Sequence, residues 1–377
     1  MIYSATRFLQ VSKRENPRND DFTPPVSCLK PIKGLDIDAY ENYASFCRQD
    51  YPEYEIVFCI DPGDPALAVI ERLVREFPEQ DIRVLFGSGR EAVNDKVARL
   101  TRLTSDAKYD IFIITDGDVR VGPDYLRSVV SPFRNPKLGA ATCLYRATKE
   151  RTFLESLQSI SMASDFFAGI LVAWKLDGVK FTLGQSILTT RKNIEAFGGF
   201  PYLEDRPVDD MQVGRLAAEN GFETQLLPYV VQSVADFHTW HEFLYKRVRW
   251  MTGMRLMRPW GHAGLFFTWG LPWALLAVAV HPTLATGVAY LGGYLAMRIG
   301  ITWLIGVRTI KQPGIWKRIP LIPLWDALAF GIWLVSFTRR TIRWRGVDYR
   351  LQDGRLIAAA SGAAKSTTIK TRNAAGA

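Results

Sequence analysis

Two carboxylates, one residue apart, directly follow a run of apolar residues. Asp116 and Asp118 come after Ile111–Thr115, whose pattern is typical of a buried strand. Open α/β sheets bind ligands at the carboxyl ends of their strands, and Mg²⁺ and Mn²⁺ prefer oxygen ligands that they share with phosphates. We therefore expect a divalent cation here that neutralises a nucleoside diphosphate leaving group, although Asp-x-Asp alone is also common in ordinary turns.

Two further acidic positions are candidates for binding and catalysis. Asp61 ends a second predicted strand, Glu55–Ile60, where it could accept hydrogen bonds from a nucleotide base or ribose, whereas Asp64 suits a cap on the helix that comes next. Asp209 and Asp210 open a predicted helix. A carboxylate at a helix N-terminus normally stabilises the helix. An inverting transfer of a group from a nucleoside diphosphate to a hydroxyl, however, needs a carboxylate that removes the proton of that acceptor hydroxyl. We expect one of this pair to cap the helix and the other to face the acceptor.

Basic residues complete the candidate site. Lys246 and Arg249 are three residues apart on the predicted helix Phe243–Met257 and therefore share a face. That face could present cations to a diphosphate, with Trp250 as an aromatic wall. The same pattern is also typical of a basic helix lying on anionic lipid. Lys96 could meet a phosphate, although a lysine on a helix is more often solvated.

Apolar runs alternate with segments of helical spacing from Val26 onward. The runs predict strands and the spaced segments predict helices, which together indicate a parallel α/β sheet. The predicted strands are Val26–Leu29, Glu55–Ile60, Ile82–Phe86 and Ile111–Thr115, and the predicted helices are Leu35–Cys47, Pro65–Phe77 and Val93–Leu103. After Glu204 the pattern predicts mainly helix, at Asp209–Asn220 and Phe243–Met257.

Three apolar stretches come after the basic helix. Gly264–Val280 contains no charged residue, Pro282–Val307 contains only Arg298, and Ile319–Thr338 contains only Asp326. About 20 apolar residues cross the hydrocarbon layer of a membrane, so each stretch is a candidate span. Three buried helices of a soluble domain are the alternative.

Basic clusters flank these stretches at Lys246–Arg258, Arg308–Arg318 and Arg339–Arg350. Three full spans cannot place the last two clusters on the same side of a membrane, as the positive-inside rule requires. We therefore expect one segment to be re-entrant or interfacial, and Pro320 and Pro323 favour the third.

Composition supports a membrane-facing second half. Ten of the eleven tryptophans come after Leu227, and the net charge of +9 is concentrated in the same half. Basic clusters attract nucleic acid or anionic lipid, and because these flank apolar segments we predict lipid and no nucleic acid. The four cysteines have no metal spacing and predict no disulfide framework. His238 and His241 lack the surrounding ligands of a zinc site.

In chain order, Asp61, Asp116-x-Asp118, Asp210 and Arg249-Trp250 resemble the D, DxD, D, (Q/R)xxRW pattern of family 2-like glycosyltransferases. Longer stretches resemble the ceramide glucosyltransferase group and its bacterial hopanoid-associated relatives, more closely the latter. These stretches are Val26–Gly34, Gln49–Ile56, Asp61–Ala66, Asp116–Leu126, Leu227–Val231 and Trp344–Leu351. The resemblance runs from about Val26 to Leu351, nearly the whole chain.

The resemblance implies a GT-A fold, a UDP-sugar donor, Mg²⁺ or Mn²⁺, and inversion at the anomeric carbon. It assigns uridine binding to Asp61, donor and metal binding to Asp116 and Asp118, with Asp118 as the direct ligand, and the catalytic base to Asp210. It likewise assigns the diphosphate and acceptor motif to Arg249 and Trp250, donor binding to Lys96 within an Asn-x-Lys element, and a motif beside the membrane to Trp344–Arg350.

The sequence departs from the family pattern in two places. Lys246 stands where Gln or Arg is usual, which keeps a charge but loses the planar fork of arginine. The N-terminal membrane helix expected in these families is absent or reduced to Ile2–Val11, so membrane attachment would depend on the C-terminal segments.

The sequence therefore predicts a leader (1–25), a GT-A catalytic domain (26–262), about three membrane segments (263–340), and a basic juxtamembrane motif with a disordered tail (341–377). We expect a multi-pass membrane enzyme, its catalytic domain cytoplasmic, that moves one sugar from a UDP-sugar to a hydroxyl of a ceramide-like or hopanoid lipid. A processive polysaccharide synthase would need more spans for a channel. The intact acids argue against a non-catalytic nucleotide- or lipid-binding membrane protein, and no G-x-G-x-x-G follows the first strand, as a dinucleotide-binding oxidoreductase would require.

Overall fold

The computed structural model describes most of the chain in full atomic detail. The described residues are 1–14, 21–89, 94–148, 150–206, 208–234, 237–339, 341–344, 347–352 and 355–358. The predicted disordered tail after Ala358 lies outside them, as does Val93, where a helix was predicted to begin.

An eight-stranded mixed sheet forms the centre of the molecule, in the order β3-β2-β1-β4-β7-β6-β8-β5. Its strands are β1 Val26–Pro31, β2 Tyr54–Ile60, β3 Asp81–Phe86, β4 Ile111–Ile114, β5 Val119–Arg120, β6 Leu138–Ala147, β7 Ile187–Thr190 and β8 Glu223–Ser233. All four predicted strands are present, and they form the parallel block β3-β2-β1-β4. The prediction of a parallel sheet holds for that block, whereas β7 runs antiparallel to both of its neighbours.

The second half of the sheet was not predicted. Strand β8 lies in a region predicted to be mainly helical, and it contains Pro228, a residue that usually argues against a sheet strand. The register explains how it is accommodated. Leu227 pairs with Cys143 while Val230 pairs with Leu144, so Pro228 lies in a bulge, where its missing N–H costs no ladder hydrogen bond.

Both faces of the sheet are buried, which explains the uninterrupted apolar runs. Ile56 and Phe58 of β2 belong to one hydrophobic cluster, and Val57 and Cys59 belong to the cluster on the other face. Side chains of a strand alternate between faces, so a strand covered on both sides needs an apolar residue at every position. All four cysteines are free and buried.

Helices cover the two faces, joined by short connections. They are α1 Ile2–Arg14, α2 Ala39–Cys47, α3 Leu67–Glu76, α4 Asp95–Asp106, α5 Tyr125–Val130, α6 Phe153–Ser161, α7 Phe167–Asp177, α8 Arg191–Ala196 and α9 Asp209–Glu219. Helix α1 falls in the predicted leader, and it packs on α7, with the rings of Phe8 and Trp174 5.6 Å apart in an edge-on arrangement.

The remaining chain is mainly helical and ends in a small antiparallel sheet. Its elements are α10 Trp240–Met257, α11 Pro259–Gly264, α12 Gly270–Val280, α13 Leu284–Gly287, α14 Gly293–Thr302, α15 Ile322–Thr338, and strands β9 Thr341–Trp344, β10 Val347–Gln352 and β11 Arg355–Ala358. Short 3₁₀ or π turns join several of these helices into longer ones.

Three continuous helices in the described chain have the length and composition of a membrane span. They are Phe153–Asp177, Leu284–Thr309 and Ile315–Thr338, and the pair Pro259–Thr268 and Gly270–Val280, bent by 49°, would make a fourth if it counts as one span. The last two predicted apolar stretches thus correspond to continuous helices, whereas the first contains the bend. Pro320 falls in a 3₁₀ turn at the start of the third helix. Phe153–Asp177 was not predicted as a span.

Candidate active site

The chain leaves the buried strand β4 through Thr115 and reaches the pair Asp116 and Asp118 at the carboxyl edge of the sheet. The hydroxyl of Ser233, the last residue of β8, donates a 3.1 Å hydrogen bond to Asp118 Oδ2. Burial and the negative charges of Asp116 and Asp36 raise the pKa of Asp118 to about 6. This carboxylate therefore sits where a bound cation would lower its free energy.

Lys96 is the protein's own counter-charge for Asp116. Its ammonium Nζ donates a 2.6 Å hydrogen bond to Asp116 Oδ1, and it lies in the first turn of α4, whose N-terminus is capped by the side chain of Asn94. Burial opposes the charge of Lys96, but the carboxylates of Asp116, Asp209 and Asp210 outweigh it and raise its pKa above the usual range. Lys96 therefore stays protonated among the three acids.

Asp210 and Asp116 both lie beside Gly184. Its Oδ2 accepts a 3.1 Å hydrogen bond from the backbone N–H of Gly184, and a Cβ built on Gly184 would lie 3.0 Å from that oxygen and 3.4 Å from Asp116 Oδ2. Burial and the adjacent Asp209 raise the pKa of Asp210 to about 6, against the opposing charge of Lys96. A carboxylate with that pKa is ionised at neutral pH and is still basic enough to accept a proton.

The two acids that open α9 have different hydrogen-bond partners, and neither caps the helix through the N-cap position, which is Val208. Asp209 Oδ1 accepts a 3.2 Å hydrogen bond from Asn94 Nδ2, which joins α9 to the cap of α4. Val208, just before them, has φ 56° and ψ 56°, a left-handed conformation that is costly for a β-branched residue. Such backbone strain is often found beside functional groups, and Val208 lies two residues before Asp210.

Asp61 ends β2, as the sequence predicts, and it is held by a residue that the sequence analysis did not single out. Arg99 is 1% exposed, and its Nη2 lies 2.5 Å from Asp61 Oδ2 while its Nε donates to Asp95 Oδ2 at 3.2 Å. Arg99 and Lys96 are one turn apart on α4, so this one helix supplies the cationic partners of both Asp61 and Asp116. The Asn-x-Lys-x-x-Arg spacing was the only signal in the sequence for this role.

Helix α10 brings its cations to the same edge. The charge of Lys246 interacts with Asp118, while burial lowers its pKa. The charge of Arg249 interacts with Asp209, and burial lowers its pKa too. The ring of Trp250 lies 5.7 Å from Lys246 Nζ. The charges of Lys246 and Arg249 thus interact favourably with Asp118 and Asp209, and the ring of Trp250 packs beside Lys246 and Arg247.

A second lysine lies beneath the acids. Lys30 in β1 is completely buried; its Nζ donates a 2.9 Å hydrogen bond to the hydroxyl of Thr115 and lies 3.7 Å from the ring centre of Phe46. Burial lowers the pKa of Lys30 to about 8. The sequence analysis gave this residue no role, although a lysine inside an apolar strand is itself a signal.

The acidic residues fit a divalent cation that is shared with a ligand. Among the described residues, no group of three or more histidine, cysteine or acidic side chains is placed to hold a metal by itself. Magnesium, however, is usually held by one or two carboxylates together with substrate phosphates. Asp118, with Asp116 beside it, supplies those carboxylates, so the donor set fits the predicted Mg²⁺ or Mn²⁺.

Comparison with known proteins places this chain among glycosyltransferases. A family model described as Glycosyl transferase family 21 matches residues 1–357. Ceramide glucosyltransferase 3 of Caenorhabditis elegans is 24% identical over 248 residues, which are 64% of this chain and 53% of that protein. Ceramide glucosyltransferase 1 of the same organism is 22% identical over 349 residues, 89% of this chain and 73% of that protein.

A yeast relative is more similar over a shorter segment. The ceramide glucosyltransferase of Komagataella phaffii is 34% identical over 154 residues, 38% of this chain and 30% of that protein. The matched segment thus covers about half of the length of Caenorhabditis elegans ceramide glucosyltransferase 3. It covers under a third of the length of the Komagataella phaffii protein. The kinship with hopanoid-associated enzymes stays a prediction.

A solved structure shows the same architecture. The mannosyltransferase PcManGT from Pyrobaculum calidifontis, in complex with GDP-Man and Mn²⁺, matches with a TM-score of 0.54 and 19% identity over 89% of this chain and 94% of that one. At this identity the likeness concerns the fold, and it confirms the predicted GT-A architecture.

Proposed function

The chain belongs to glycosyl transferase family 21, and we propose that it transfers a single sugar from a UDP-sugar to a hydroxyl of a membrane lipid, with inversion at the anomeric carbon. The observation that carries the proposal is the convergence of Asp116 and Asp210 on Gly184. The carboxylate that we assign to the donor side and the carboxylate that we assign as the base thus lie beside the same small residue, next to helices of membrane-span composition.

The donor side is built from α4 and the ends of β2 and β4. Asp61, oriented by Arg99, accepts hydrogen bonds from the uridine. Lys96 pairs with Asp116 and contributes positive charge beside the diphosphate. The cation that Asp118 would hold supplies charge neutralisation for the departing nucleotide.

The acceptor side is built from α9 and α10. Asp210 accepts the proton of the lipid hydroxyl while that oxygen forms its bond to the anomeric carbon. The bond from the anomeric carbon to the diphosphate oxygen breaks at the same time, and UDP leaves with the electron pair. Lys246 and Arg249, whose charges interact with Asp118 and Asp209, stabilise the charge that develops on the leaving group.

The names of the relatives suggest the substrates. All three relatives described above are called ceramide glucosyltransferases, which suggests UDP-glucose and a ceramide-like lipid as the first pair to test. The GDP-Man and Mn²⁺ in the PcManGT complex support a nucleotide sugar and a divalent cation. We assign the catalytic domain to residues 26–262 and the membrane-facing helices chiefly to residues 263–340.

The test is sugar transfer by the full-length protein in detergent. UDP-glucose, UDP-N-acetylglucosamine and GDP-mannose are each offered with ceramide, a hopanoid polyol or diacylglycerol, with Mg²⁺ or Mn²⁺, and glycolipid is identified by mass spectrometry. We expect glycolipid from one UDP-sugar and one lipid class, its product having the opposite anomeric configuration to the donor. Asp110→Asn serves as the control, because Asp110 is 81% exposed and lies at the opposite end of β4. A glycolipid that retains the donor's configuration, or that forms only from GDP-mannose, would refute the proposal.

A further inference from the structure

Helix α10 and the apolar helix Ile315–Thr338 lie side by side and run in the same direction. Near their N-terminal halves, the rings of Phe243 and Trp325 are 6.5 Å apart. Near their C-terminal ends, the guanidinium of Arg255 lies 6.0 Å from the ring of Phe337. Helix α10 carries active-site cations along its length, so it cannot cross a bilayer. A helix packed along α10 in the same direction therefore lies at the same depth relative to the bilayer as α10 does.

The apolar helix Phe153–Asp177 flanks α10 on another side, again in the same direction. The rings of Phe153 and Trp240 are 6.0 Å apart, and Arg247 Nη1 donates a 3.2 Å hydrogen bond to the hydroxyl of Ser161. This helix also connects β6 to β7 of the same sheet. Both of its ends therefore belong to the catalytic domain, and we call the three helices Phe153–Asp177, Trp240–Met257 and Ile315–Thr338 the platform.

Both ends of the third platform helix contact the catalytic domain. Before its start, the side chain of Gln312 accepts a 3.0 Å hydrogen bond from the backbone N–H of Ala147 in β6. After its end, Arg255 Nη2 donates to the carbonyl of Arg339. A helix that crosses a membrane has its ends on opposite sides, so Ile315–Thr338 does not cross, although it is long enough.

The part that projects from the platform is a short helical hairpin, residues 270–292, which we call the hairpin. Helix α12 provides its first arm, and the chain returns after the three residues His281–Thr283. At the tip Val280 is 76% exposed and Leu284 85%. The 11 residues of α12 rise about 17 Å at 1.5 Å per residue, roughly half of the 30 Å hydrocarbon layer.

The base of the hairpin is fastened to the platform by a buried ion pair. Arg298 Nε donates a 2.8 Å hydrogen bond to Asp326 Oδ2, and Tyr294 donates to the same oxygen at 2.6 Å. Arg298 and Asp326 are the two charged residues that interrupt the apolar stretches in the sequence. They neutralise each other inside the protein, so neither is presented to lipid.

We propose that the protein is monotopic: the hairpin enters one leaflet and returns, and the platform lies along the surface of that leaflet. The proposal also resolves the conflict over the basic clusters. Lys246–Arg258, Arg308–Arg318 and Arg339–Arg350 then all lie on the catalytic side, where anionic headgroups attract them. The exposed rings of Trp260 and Phe267, 89% and 78% exposed, fit the interface at the base of the hairpin.

This arrangement identifies the source of the acceptor. With the platform lying along the leaflet, only the thickness of α10 itself, about 10 Å, separates Lys246 and Arg249 from the headgroups. The acceptor must therefore come from the leaflet that the hairpin enters. The inference rests on the membrane attachment in the proposed function, but not on the identity of the donor or acceptor.

The test is cysteine accessibility in sealed vesicles of both orientations. The protein's own four cysteines are buried, so a membrane-impermeant maleimide should label only an exposed cysteine that is introduced by substitution. Four variants each carry one such cysteine: Lys317→Cys, Arg339→Cys, Ala285→Cys and Glu219→Cys. The last of these reports the side of the membrane on which the catalytic domain lies. We expect Lys317→Cys and Arg339→Cys to label from the same side as Glu219→Cys. Ala285→Cys, at the tip, should label from neither side until detergent is added.

Two outcomes would overturn the topology. Labelling of Lys317→Cys and Arg339→Cys from opposite sides would make Ile315–Thr338 a true span, and labelling of Ala285→Cys from the side opposite Glu219→Cys would make the hairpin cross. Retained UDP binding confirms that each variant is folded. Release of the protein from membranes by carbonate would refute membrane attachment itself, and a failed sugar transfer with the expected labelling would refute only the proposed activity.

Discussion

The ammonium of Lys96 lies 2.6 Å from a carboxylate oxygen of Asp116, so the first acid of the Asp-x-Asp pair already has a cationic partner in the protein. Asp118, two residues on, is hydrogen-bonded to the hydroxyl of Ser233 instead. This asymmetry supports the expectation that Asp118 is the acid that binds the metal directly. It also supports the proposal that Lys96 belongs to the donor site rather than being a solvated surface lysine.

Lys96→Met should weaken donor binding more than it slows turnover. Removing the ammonium leaves Asp116 to repel the diphosphate, and we expect KM for the UDP-sugar to rise about tenfold, equivalent to about 1.4 kcal/mol. Steady-state kinetics measure the effect, with Lys108→Met, a surface lysine paired with Asp81, as the control. An unchanged KM would remove Lys96 from the donor site.

Chelation with EDTA should abolish transfer, and added Mn²⁺ or Mg²⁺ should restore it. In Asp118→Asn the cation loses its direct carboxylate, so we expect the concentration needed for half-maximal activity to rise at least tenfold. Asp110→Asn should keep the wild-type requirement. Transfer that persists in excess EDTA would contradict a metal-assisted reaction.

Gly184→Ala should damage activity without unfolding the protein. The added methyl group would lie 3.0 Å from Asp210 Oδ2 and 3.4 Å from Asp116 Oδ2, and small displacements of reacting groups are costly, up to about 100-fold in rate. We expect kcat to fall at least tenfold with the melting temperature little changed. Gly169→Ala, where an added Cβ meets no atom within 4 Å, is the matched control. Equal activity in the two variants would place the reaction elsewhere.

Arg298→Met should destabilise the protein, because Asp326 would be left charged and buried. Loss of one partner of a buried pair costs about 3–5 kcal/mol, whereas replacing both is often neutral. We therefore expect the melting temperature in detergent to fall in Arg298→Met and to recover in Arg298→Met/Asp326→Leu. A double variant as unstable as the single one would show that the pair contributes more than mutual neutralisation.

The places of most proposed site residues in the fold could be predicted because these residues follow local patterns. Asp61 and Asp116 stand directly after apolar strands, and parallel strands bring such ends to one edge. Asp210 opens a helix, and Lys246 and Arg249 share a helix face. In each case a few neighbouring residues fix the direction of the side chain.

Other features depend on contacts that are distant in sequence. Nothing local marks Gly184 as the residue beside two carboxylates, and Arg99 is defined by its partner Asp61, which follows another strand. Strand β8 was not predicted, and its Pro228 would argue against a strand unless a bulge accommodates it. The length of Ile315–Thr338 suggests a span, and the proposal that it lies on the membrane surface rests on its packing along α10, which no local pattern reveals.

The pH profile of kcat/KM in wild type and the activity of Asp210→Asn test the proposed mechanism most directly. Burial and the neighbouring Asp209 raise the pKa of Asp210 in the free protein to about 6, so this carboxylate is ionised above that pH and protonated below it. We expect wild-type kcat/KM to be full above about pH 7 and to fall as the pH drops through 6, because kcat/KM follows the ionisation of the free enzyme. Asp210→Asn should lose about 10²–10⁴-fold in kcat/KM at neutral pH while binding UDP as tightly as wild type in calorimetry. An Asp210→Asn protein with wild-type activity at neutral pH would contradict Asp210 as the base.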